Sequence, residues 1–330
     1  MNCLVLETEG SLPVWRELPK PVLAPGCVRV KIAAAALNHR DVWMTKGLYP
    51  GVVYPVVPGS DGTGVVVEAS VGGESWMGRE VIVNASYGWG GSETVQGPDF
   101  TILGMPQQGT FAEEIIVPFE QLSPRPAHLN AHEAAALPLA GLTAYRALFS
   151  RAKLQAGERV LITGIGGGVA LFALQFALAA GARVAVTSGS AEKLERALQM
   201  GAEAGFLYSD ADWAAKVVEQ FGRIHVAIDG AGGPGYIGLI DAAEPGARIV
   251  NYGGTGGNPE ALPIRKVFWN QLSLLGSTMG SPADFAAMTA FVDRHQIRPV
   301  IDEVIPMSDG AEAFRKMDAS RQFGKLVLAL

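Results

Sequence analysis

The stretch that most constrains the fold runs over residues 158–190 and reads ERVLITGIGGGVALFALQFALAAGARVAVTSGS. Residues 159–163 are a short apolar, β-branched run, residues 164–168 are a glycine cluster, and residues 169–180 are helix formers without Gly or Pro. A second β-branched run follows at residues 183–187. This order predicts a strand, a tight turn, a helix and a second strand. Such a βαβ unit has parallel strands and a right-handed crossover.

The glycine cluster predicts a dinucleotide site. Glycines let the backbone approach a ligand closely, and the free N–H groups at the start of the helix favour an anion such as a pyrophosphate. The spacing is GxxGxxA, which departs from the usual GxGxxG. The predicted cofactor-binding residues of this turn are Gly164, Gly167, Gly168 and Val169.

A literal GxGxxG pattern occurs later, through Gly230, Gly232 and Gly235. Pro234 removes a donor from that turn, and only a short, glycine-broken helix can follow it. We therefore predict that the first cluster is the primary cofactor site.

Composition favours small-molecule chemistry in the cytoplasm. The 330 residues carry 18% charged side chains and a net charge of −6, so the basic footprint of a nucleic-acid partner is missing. The two cysteines form no CxxC pair, which is typical of a reducing compartment. No export signal is recognisable at the start. Residues 160–182 are uncharged, but the glycine run and the βαβ continuation favour a buried layer over a membrane span.

The pattern of residue types along the chain predicts two domains. Residues 1–125 are rich in Val, Gly and Pro and read as short strands, residues 126–280 alternate helix and strand, and residues 281–330 return to strands around one helix. This order predicts an α/β fold in which a doubly wound parallel sheet is inserted in a β-rich domain, with both chain ends in the β-rich part.

Several stretches along nearly the whole chain resemble one family in its own order. They are LNHRDVWMTKGLYP, PVVPGSDGTGVVVE, GTFAEEIIVP, LPLAGLTAYRAL, VLITGIGGGVA, VTSGSAEKLERALQMGA, VAIDGAGG, RIVNYGG and QFGKLVL. The chain resembles the medium-chain dehydrogenase/reductase superfamily, in its zinc-independent quinone-oxidoreductase-like branch. The resemblance implies an NAD(P)H-dependent oxidoreductase with a GroES-like catalytic domain and a Rossmann cofactor domain.

The chain departs from zinc-dependent members of that family at the metal-ligand positions. Asn38 stands where they have a catalytic Cys, Ser60 where they have a His, and Leu139 where they have a Cys or an equivalent ligand. Their structural zinc lobe corresponds to SYGWGGSETVQGPDFTILG, which contains no cysteine. Because thiolates and imidazoles are what hold zinc, we expect an enzyme without zinc or any other metal.

The end of the second predicted strand favours NADPH (NADP) over NAD. An NAD site carries an acid about 20 residues after the first glycine, and residues 184–188 contain none. Hydroxyls and an ammonium there suit a 2′-phosphate, although Lys193 could instead be a solvated helix residue. The resemblance adds a stacking or phosphate contact by Tyr208. The predicted residues are Thr187, Ser188, Ser190, Lys193 and Tyr208.

The resemblance places four catalytic residues beside the nicotinamide and the substrate: Asn38, His39, Asp41 and Trp43. His39 stands where relatives carry a basic side chain for the cofactor pyrophosphate, or it packs at the domain boundary. Asp41 corresponds to a carboxylate beside the metal, or it caps a helix that begins at Val42. Trp43 replaces a tyrosine, so its ring N–H is the available donor.

Weaker assignments complete the cofactor site. By resemblance Thr143 contacts the nicotinamide amide, although a helix hydroxyl also bonds its own backbone. Tyr252 and Gly253 follow a strand end, where open α/β sheets bind ligands. Phe323 and Lys325 correspond to a late cofactor contact. For Asp61, in the PGSDG turn, a structural role is expected.

Three functions remain open at this stage. The first is zinc-free, NADPH-dependent reduction of a quinone or an activated alkene or carbonyl, acceptors that need orientation and an oxyanion donor rather than a Lewis acid. The alternatives are an alcohol dehydrogenase-like enzyme and a non-catalytic NADPH-binding protein. The expected partners are a small-molecule substrate and further copies of the chain, as a homodimer or a tetramer, because residues 272–277 resemble the family's pairing edge strand.

Overall fold

Strand and helix alternate through the middle of the chain, and both flanks are β-rich. The computed structural model describes residues 1–330 and separates into two units, Met1–Ala140 with Gly280–Leu330, and Gly141–Met279. The chain thus leaves the first unit, forms the second and returns, as the sequence pattern predicts. None of the helices combines the length and the apolar character that crossing a bilayer requires.

The first unit is built on a seven-stranded sheet in the order β16-β17-β3-β4-β5-β9, with β8 paired to β3, and it has two further two-stranded sheets, β1-β2 and β6-β7. Its strands are β1 (Asn2–Val5), β2 (Val14–Glu17), β3 (Cys27–Ala36), β4 (Asp61–Ala69), β5 (Glu80–Val83), β6 (Ser86–Tyr87), β7 (Thr101–Ile102), β8 (Glu114–Pro118), β9 (Leu122–Pro124), β16 (Ile301–Pro306) and β17 (Lys325–Ala329). Its helices are α1 (His39–Thr45), α2 (Ala131–Ala136), α9 (Pro282–His295) and α10 (Gly310–Asp318), and α3 (Pro138–Tyr145) leads into the second unit.

The second unit is a six-stranded parallel sheet in the order β12-β11-β10-β13-β14-β15. Its strands are β10 (Arg159–Ile162), β11 (Arg183–Ser188), β12 (Ala204–Leu207), β13 (Ile224–Asp229), β14 (Ala243–Asn251) and β15 (Ser273–Gly276). Its helices are α4 (Gly168–Ala179), α5 (Ala191–Gln199), α6 (Trp213–Gln220), α7 (Tyr236–Ala242) and α8 (Ile264–Trp269), and a π-helical turn, Arg146–Arg151, follows α3.

The predicted βαβ unit is β10, α4 and β11. The two strands are parallel neighbours, with Val160 opposite Val184 and Ile162 opposite Val186. All four of these side chains are fully buried, which is typical of a parallel sheet covered on both faces. The later glycine pattern is followed only by α7, a helix of seven residues that contains Gly238.

The first boundary lies after Ala140, later in the chain than the predicted division after residue 125. Helix α2 explains the difference. Its residues Ala135 and Ala136 pack against Ala34 and Ala36 of β3 and against Val327 of β17, so this helix contributes to the core of the β-rich unit. The second unit ends before Gly280.

The cysteine-free lobe at residues 86–104 is held by ordinary packing. Trp89 is 2% exposed, lies edge-on to Phe100 with ring centroids 5.4 Å apart, and donates its ring N–H to the Ser92 carbonyl at 2.8 Å. The Ser281 hydroxyl, which lies outside the lobe in the sequence, donates to Glu93 within it. An aromatic pair and a hydrogen bond therefore order the segment.

Candidate active site

The first turn of the βαβ unit has the backbone form of an anion site. Gly164 and Gly166 lie at φ values of +65° and +111°, a region that favours glycine. Gly167 is the N-cap of α4 and is exposed. The first amides of a helix lack carbonyl partners within it, so the N–H groups of Gly168 and Val169 remain available to a phosphate.

The end of β11 is polar and carries no carboxylate. Thr187 and Ser188 are buried, and the Ser188 hydroxyl accepts the Ser190 N–H at 3.2 Å. Ser190 is the N-cap of α5, where its hydroxyl accepts the Lys193 N–H at 3.4 Å. The structure therefore brings the predicted hydroxyls and the start of the Lys193 helix together at one end of the sheet.

Tyr208 lies beside this strand end. It is 55% exposed, and a Cβ added to Gly189 would come within 2.5 Å of its hydroxyl oxygen. Because Gly189 has no side chain, the Tyr208 side chain can pack against it. The exposed ring face is compatible with the predicted stacking contact.

Asp229 organises the neighbouring strand ends, a role that the sequence analysis did not assign. Its carboxylate accepts from the Thr163 hydroxyl at 2.6 Å, from Asn251 Nδ2 at 2.8 Å and from the N–H groups of Ala231 and Gly232 at 3.2 and 2.8 Å. The signal was available, because a carboxylate ending one parallel strand faces the ends of its neighbours.

The next turn, which contains Tyr252 and Gly253, packs tightly on the residue after Asp229. A Cβ added to Gly253 would lie 2.8 Å from the Gly230 carbonyl oxygen, and one added to Gly230 would lie 2.5 Å from the Tyr252 hydroxyl. The loops after β13 and β14 therefore form one surface at the carboxyl ends of these two strands.

A buried polar cluster lies in the β-rich unit, at the start of β4. Asp61 Oδ2 accepts from Lys325 Nζ at 2.8 Å and from Asn38 Nδ2 at 2.9 Å, and Oδ1 accepts the Leu139 N–H at 2.7 Å. Lys325 Nζ also donates to Asn38 Oδ1 at 2.7 Å. Asp61 is fully buried, and Asn38 and Lys325 are 7% and 3% exposed. The expected structural role of Asp61 is thus a junction of three chain segments.

Helix α1 begins at His39 rather than at Val42, with Asn38 as its N-cap. Asp41 lies in the first turn, and its Oδ2 accepts the Asn38 N–H at 2.8 Å, so Asp41 supports the cap. His39 is exposed, and its ring lies edge-on to Trp43 with centroids 5.3 Å apart. Asn38 and Asp41 are therefore placed together, and His39 and Trp43 form a pair one turn away.

Arg40 is a further buried residue that the sequence reasoning missed. Its Nη1 donates to the Ser60 hydroxyl at 2.5 Å and to the Leu103 carbonyl at 2.9 Å, and its guanidinium lies 4.6 Å from the Tyr49 ring centroid. Ser60 also donates to the Leu103 carbonyl at 2.7 Å. A charged residue beside a helix cap gives no sequence signal for burial, because most such residues are solvated.

The remaining assigned residues are buried in their own units. Thr143 is 6% exposed, and its hydroxyl lies 3.9 Å from Met279 Sδ. Phe323 is 2% exposed and donates its N–H to Asp302 at 2.9 Å. The cofactor contacts assigned to Thr143, Phe323 and Lys325 stay predictions.

The donors around Asp61 do not suit a zinc ion. The positions that by resemblance hold the three zinc ligands carry an amide, a hydroxyl and a leucine side chain, and the Lys325 ammonium contacts the amide, that of Asn38. A positive charge repels a metal cation, and thiolate or imidazole ligands are lacking. No group of three or more His, Cys, Asp or Glu side chains is placed to hold a metal ion.

Family models match most of the chain. A model described as alcohol dehydrogenase GroES-like domain matches residues 24–127, and one described as zinc-binding dehydrogenase matches residues 168–294. The zinc-type alcohol dehydrogenase-like protein YogA of Leptosphaeria maculans is 35% identical over 94% of this chain and 92% of its own. A crystal structure of an NAD-dependent alcohol dehydrogenase is 36% identical, with a TM-score of 0.94 over 100% of both chains.

Other relatives are named for reactions other than alcohol oxidation. Quinone oxidoreductase-like protein 2 of Bos taurus is 28% identical over 99% of this chain and 91% of its own. Acryloyl-coenzyme A reductase of Metallosphaera sedula is 27% identical over 95% of both chains. The names of these similar proteins thus cover both alcohol oxidation and the reduction of conjugated acceptors.

We expect the free energy of unfolding of the Asp41→Asn variant to increase relative to that of the wild type as the pH rises. Burial raises the pKa of the Asp41 carboxyl to about 6, against the opposing charge of Arg40. The folded state then binds the proton more tightly than the unfolded chain, so the wild type loses up to about 3 kcal/mol between about pH 4 and about pH 6. Asparagine avoids this loss and can still accept the Asn38 N–H.

Denaturant unfolding at about pH 4 and about pH 8 measures this difference. The matched control is Asp99→Asn, which changes an exposed carboxylate of the same unit. A stability difference between Asp41→Asn and wild type that is independent of pH would contradict the assignment.

Proposed function

Because the chain belongs to the medium-chain dehydrogenase/reductase superfamily and is an oxidoreductase of that family, we propose that it is an NADPH-dependent, zinc-free reductase of quinones or of activated alkenes and carbonyls. The observation that carries this proposal is the Asn38–Asp61–Lys325 cluster, in which an ammonium contacts Asn38, the residue that by resemblance stands at a metal-ligand position of zinc-dependent relatives. The names of the quinone oxidoreductase-like and acryloyl-coenzyme A reductase relatives support it.

The cluster suits acceptors that are already electron-poor. Oxidation of a simple alcohol requires loss of the hydroxyl proton and stabilisation of the alkoxide, which a zinc ion provides as a Lewis acid. A quinone or an enone takes up a hydride while a donor stabilises the negative charge that develops on its oxygen, and a proton from water then completes the reduction. Asn38 Nδ2 keeps one hydrogen after its bond to Asp61, and we assign that hydrogen to the acceptor oxygen.

When bound, a reduced nicotinamide supplies the hydride. Binding and orientation are then the tasks of the chain. The amides of Gly168 and Val169 and the exposed Gly167 suit the pyrophosphate. Asp229 holds the neighbouring loops in place through its four hydrogen bonds, and Trp43 offers a flat surface to a planar acceptor.

The preference for NADPH rests on the end of β11. Thr187, Ser188 and Ser190 present hydroxyls, Lys193 follows in the first turn of α5, and residues 184–190 include no carboxylate that would repel a phosphate. The similar crystal structure is that of an NAD-dependent enzyme, so direct comparison of the two nucleotides has to decide this point.

An alcohol dehydrogenase-like activity is the second candidate, favoured by the names of the relatives at 35% and 36% identity. A panel of quinones, enones, enoyl thioesters, alcohols and aldehydes, assayed with both nucleotides and combined with metal analysis, separates the two. We expect NADPH oxidation with conjugated acceptors and less than stoichiometric zinc. Alcohol oxidation with bound zinc would refute the proposal, and nucleotide binding without turnover would indicate a non-catalytic binding protein.

We expect Lys193→Ala to weaken NADPH binding about 10- to 100-fold and NADH binding little, as for the loss of one charge-assisted hydrogen bond to the 2′-phosphate. Titration of both nucleotides measures the two dissociation constants. Lys216→Ala is the control, since Lys216 is a partly exposed lysine of the same unit paired with Asp210 and Asp212. An equal loss for both nucleotides would contradict the phosphate assignment.

We propose that the protein forms at least a homodimer through the edge of the parallel sheet. Strand β15 is the last strand of that sheet, so one of its edges has no neighbour. Helix α8 precedes it and exposes Ile264, Phe268 and Trp269 to 58%, 61% and 80%. Exposed apolar side chains beside an open edge are typical of a subunit interface.

We expect the double variant Phe268→Glu/Trp269→Glu to be a monomer where the wild type is a dimer or a tetramer, because charges cannot be buried unpaired in an apolar contact. Light scattering after size-exclusion chromatography measures the mass. Val71→Glu, at a position 92% exposed in the other unit, is the control. A double variant with the mass of the wild type would place the interface elsewhere.

We also propose a cytoplasmic location. Cys3 and Cys27 are both free, and burial raises the pKa of each thiol, which keeps the thiols protonated and unreactive. This state is compatible with a reducing compartment.

A further inference from the structure

The Asn38 amide is fixed in one orientation by two opposite charges. Its Oδ1 accepts from Lys325 Nζ at 2.7 Å, and its Nδ2 donates to Asp61 Oδ2 at 2.9 Å. Turning the amide over would place nitrogen against the ammonium and oxygen against the carboxylate, so that neither pair could form a hydrogen bond. Lys325 and Asp61 together therefore determine which atom of Asn38 is left as a donor.

Two hydrogens of the cluster remain without a partner. An amide nitrogen carries two hydrogens and an ammonium three. Asn38 Nδ2 uses one on Asp61, and Lys325 Nζ uses one on Asn38 and one on Asp61. All three side chains are at least nine-tenths buried, so the remaining donors lie in surroundings of low dielectric, where their effect on a developing negative charge is strong.

The cluster also connects two segments that, by resemblance, carry metal-ligand positions of zinc-dependent relatives. Asp61 binds Asn38 through Oδ2 and the Leu139 N–H through Oδ1, and Lys325 from β17 completes the junction. Asn38 and Leu139, which are far apart in the chain, stand at two of the three ligand positions. The third position is Ser60, the residue directly before Asp61. An ammonium tethered to the chain thus provides the positive charge and the cross-link at this point.

We propose that Lys325 is the positioning residue of the reaction centre: its ammonium holds the Asn38 amide so that the free Nδ2 hydrogen stabilises the oxyanion of the acceptor. The inference rests on the proposed function, because it states how the same site stabilises the charge formed by hydride addition. Asn38 contacts the acceptor, and Lys325 acts through Asn38.

Three variants test the role, with wild type for reference: Lys325→Met, Asp61→Asn and the double variant Lys325→Met/Asp61→Asn. Lys325→Met leaves the Asp61 carboxylate buried without its counter-ion, so its melting temperature falls, and the double variant removes both charges and regains much of that loss. We expect kcat to fall about 100-fold in Lys325→Met, the size of effect of removing an oxyanion donor. The kcat of the double variant stays low, because no ammonium orients Asn38.

The separation of kcat from nucleotide binding is the decisive measurement. This proposal replaces the cofactor contact predicted for Lys325, since its ammonium bonds to Asn38 and Asp61. The dissociation constant for NADPH should therefore stay unchanged in Lys325→Met. Lys20→Met, which removes an exposed ion pair with Glu114 in the same unit, is the control and should change neither quantity. Recovery of kcat together with stability in the double variant would reduce the cluster to a structural role and overturn the proposal.

Loss of NADPH affinity with kcat retained would overturn it as well, since Lys325 would then be a cofactor ligand. Crystal structures of wild type and Lys325→Met give a readout that needs no turnover. The Asn38 side-chain torsions should change in the variant, and an unchanged Asn38 would refute positioning by Lys325. A wild type that reduces none of the acceptors would refute the proposed function, while the torsions still decide the role of Lys325.

Discussion

A buried carboxylate is tolerated only where donors surround it, and Asp61 meets this requirement by drawing three separate segments together. Its two oxygens accept from Asn38, Lys325 and the Leu139 backbone. Its own carbonyl accepts the Thr110 hydroxyl at 2.7 Å. Movement of any one of these donors would remove a hydrogen bond from the buried carboxylate. The positions of helix α1, strand β17 and the start of α3 therefore depend on the Asp61 side chain.

Asp229, in the parallel sheet, is a second buried carboxylate that is surrounded by hydrogen-bond donors. There the donors are the Thr163 hydroxyl and the Asn251 amide from neighbouring strand ends, and two backbone N–H groups of the loop that follows Asp229 itself. The two carboxylates differ in their counter-charge: Asp61 faces an ammonium, and Asp229 faces only neutral donors. Neutral donors leave a negative charge uncompensated, which suits a loop-ordering role. In the Asp61 cluster the Lys325 ammonium balances the carboxylate charge, so burial of the pair costs less than burial of an isolated charge.

The sequence carried most of the fold because its signals are local. Buried strands without polar alternation, a glycine turn and a helix free of Gly and Pro predict β10, α4 and β11 almost to the residue. The start of α1 was misplaced by three residues, since a helix that begins with His39 and Arg40 has no apolar periodicity in its first turn. The sequence gives no signal for the division after Ala140, because small alanines such as Ala135 and Ala136 do not indicate which sheet they pack against.

The site was less accessible to sequence reasoning, because its bonds join residues that lie far apart in the chain. Lys325 is separated from Asn38 by 287 positions and from Asp61 by 264, and a lysine at the start of a strand is usually solvated. The resemblance identified Asn38 and Lys325 individually, yet it assigned them to different ligands. Only the fold shows that they share a hydrogen bond.

The cluster and the lobe at residues 86–104 are both held together by side-chain contacts that need no metal ion. Both correspond to metal sites of zinc-dependent relatives, and both lack thiolates. The first is held by an ammonium–carboxylate pair, and the second by the Trp89–Phe100 contact and the Glu93–Ser281 hydrogen bond. An ammonium can fix geometry and attract negative charge, but it has no empty orbital with which to activate an alcohol as a Lewis acid. Reduction of a conjugated acceptor requires no Lewis acid, so the cluster and the proposed reaction depend on each other.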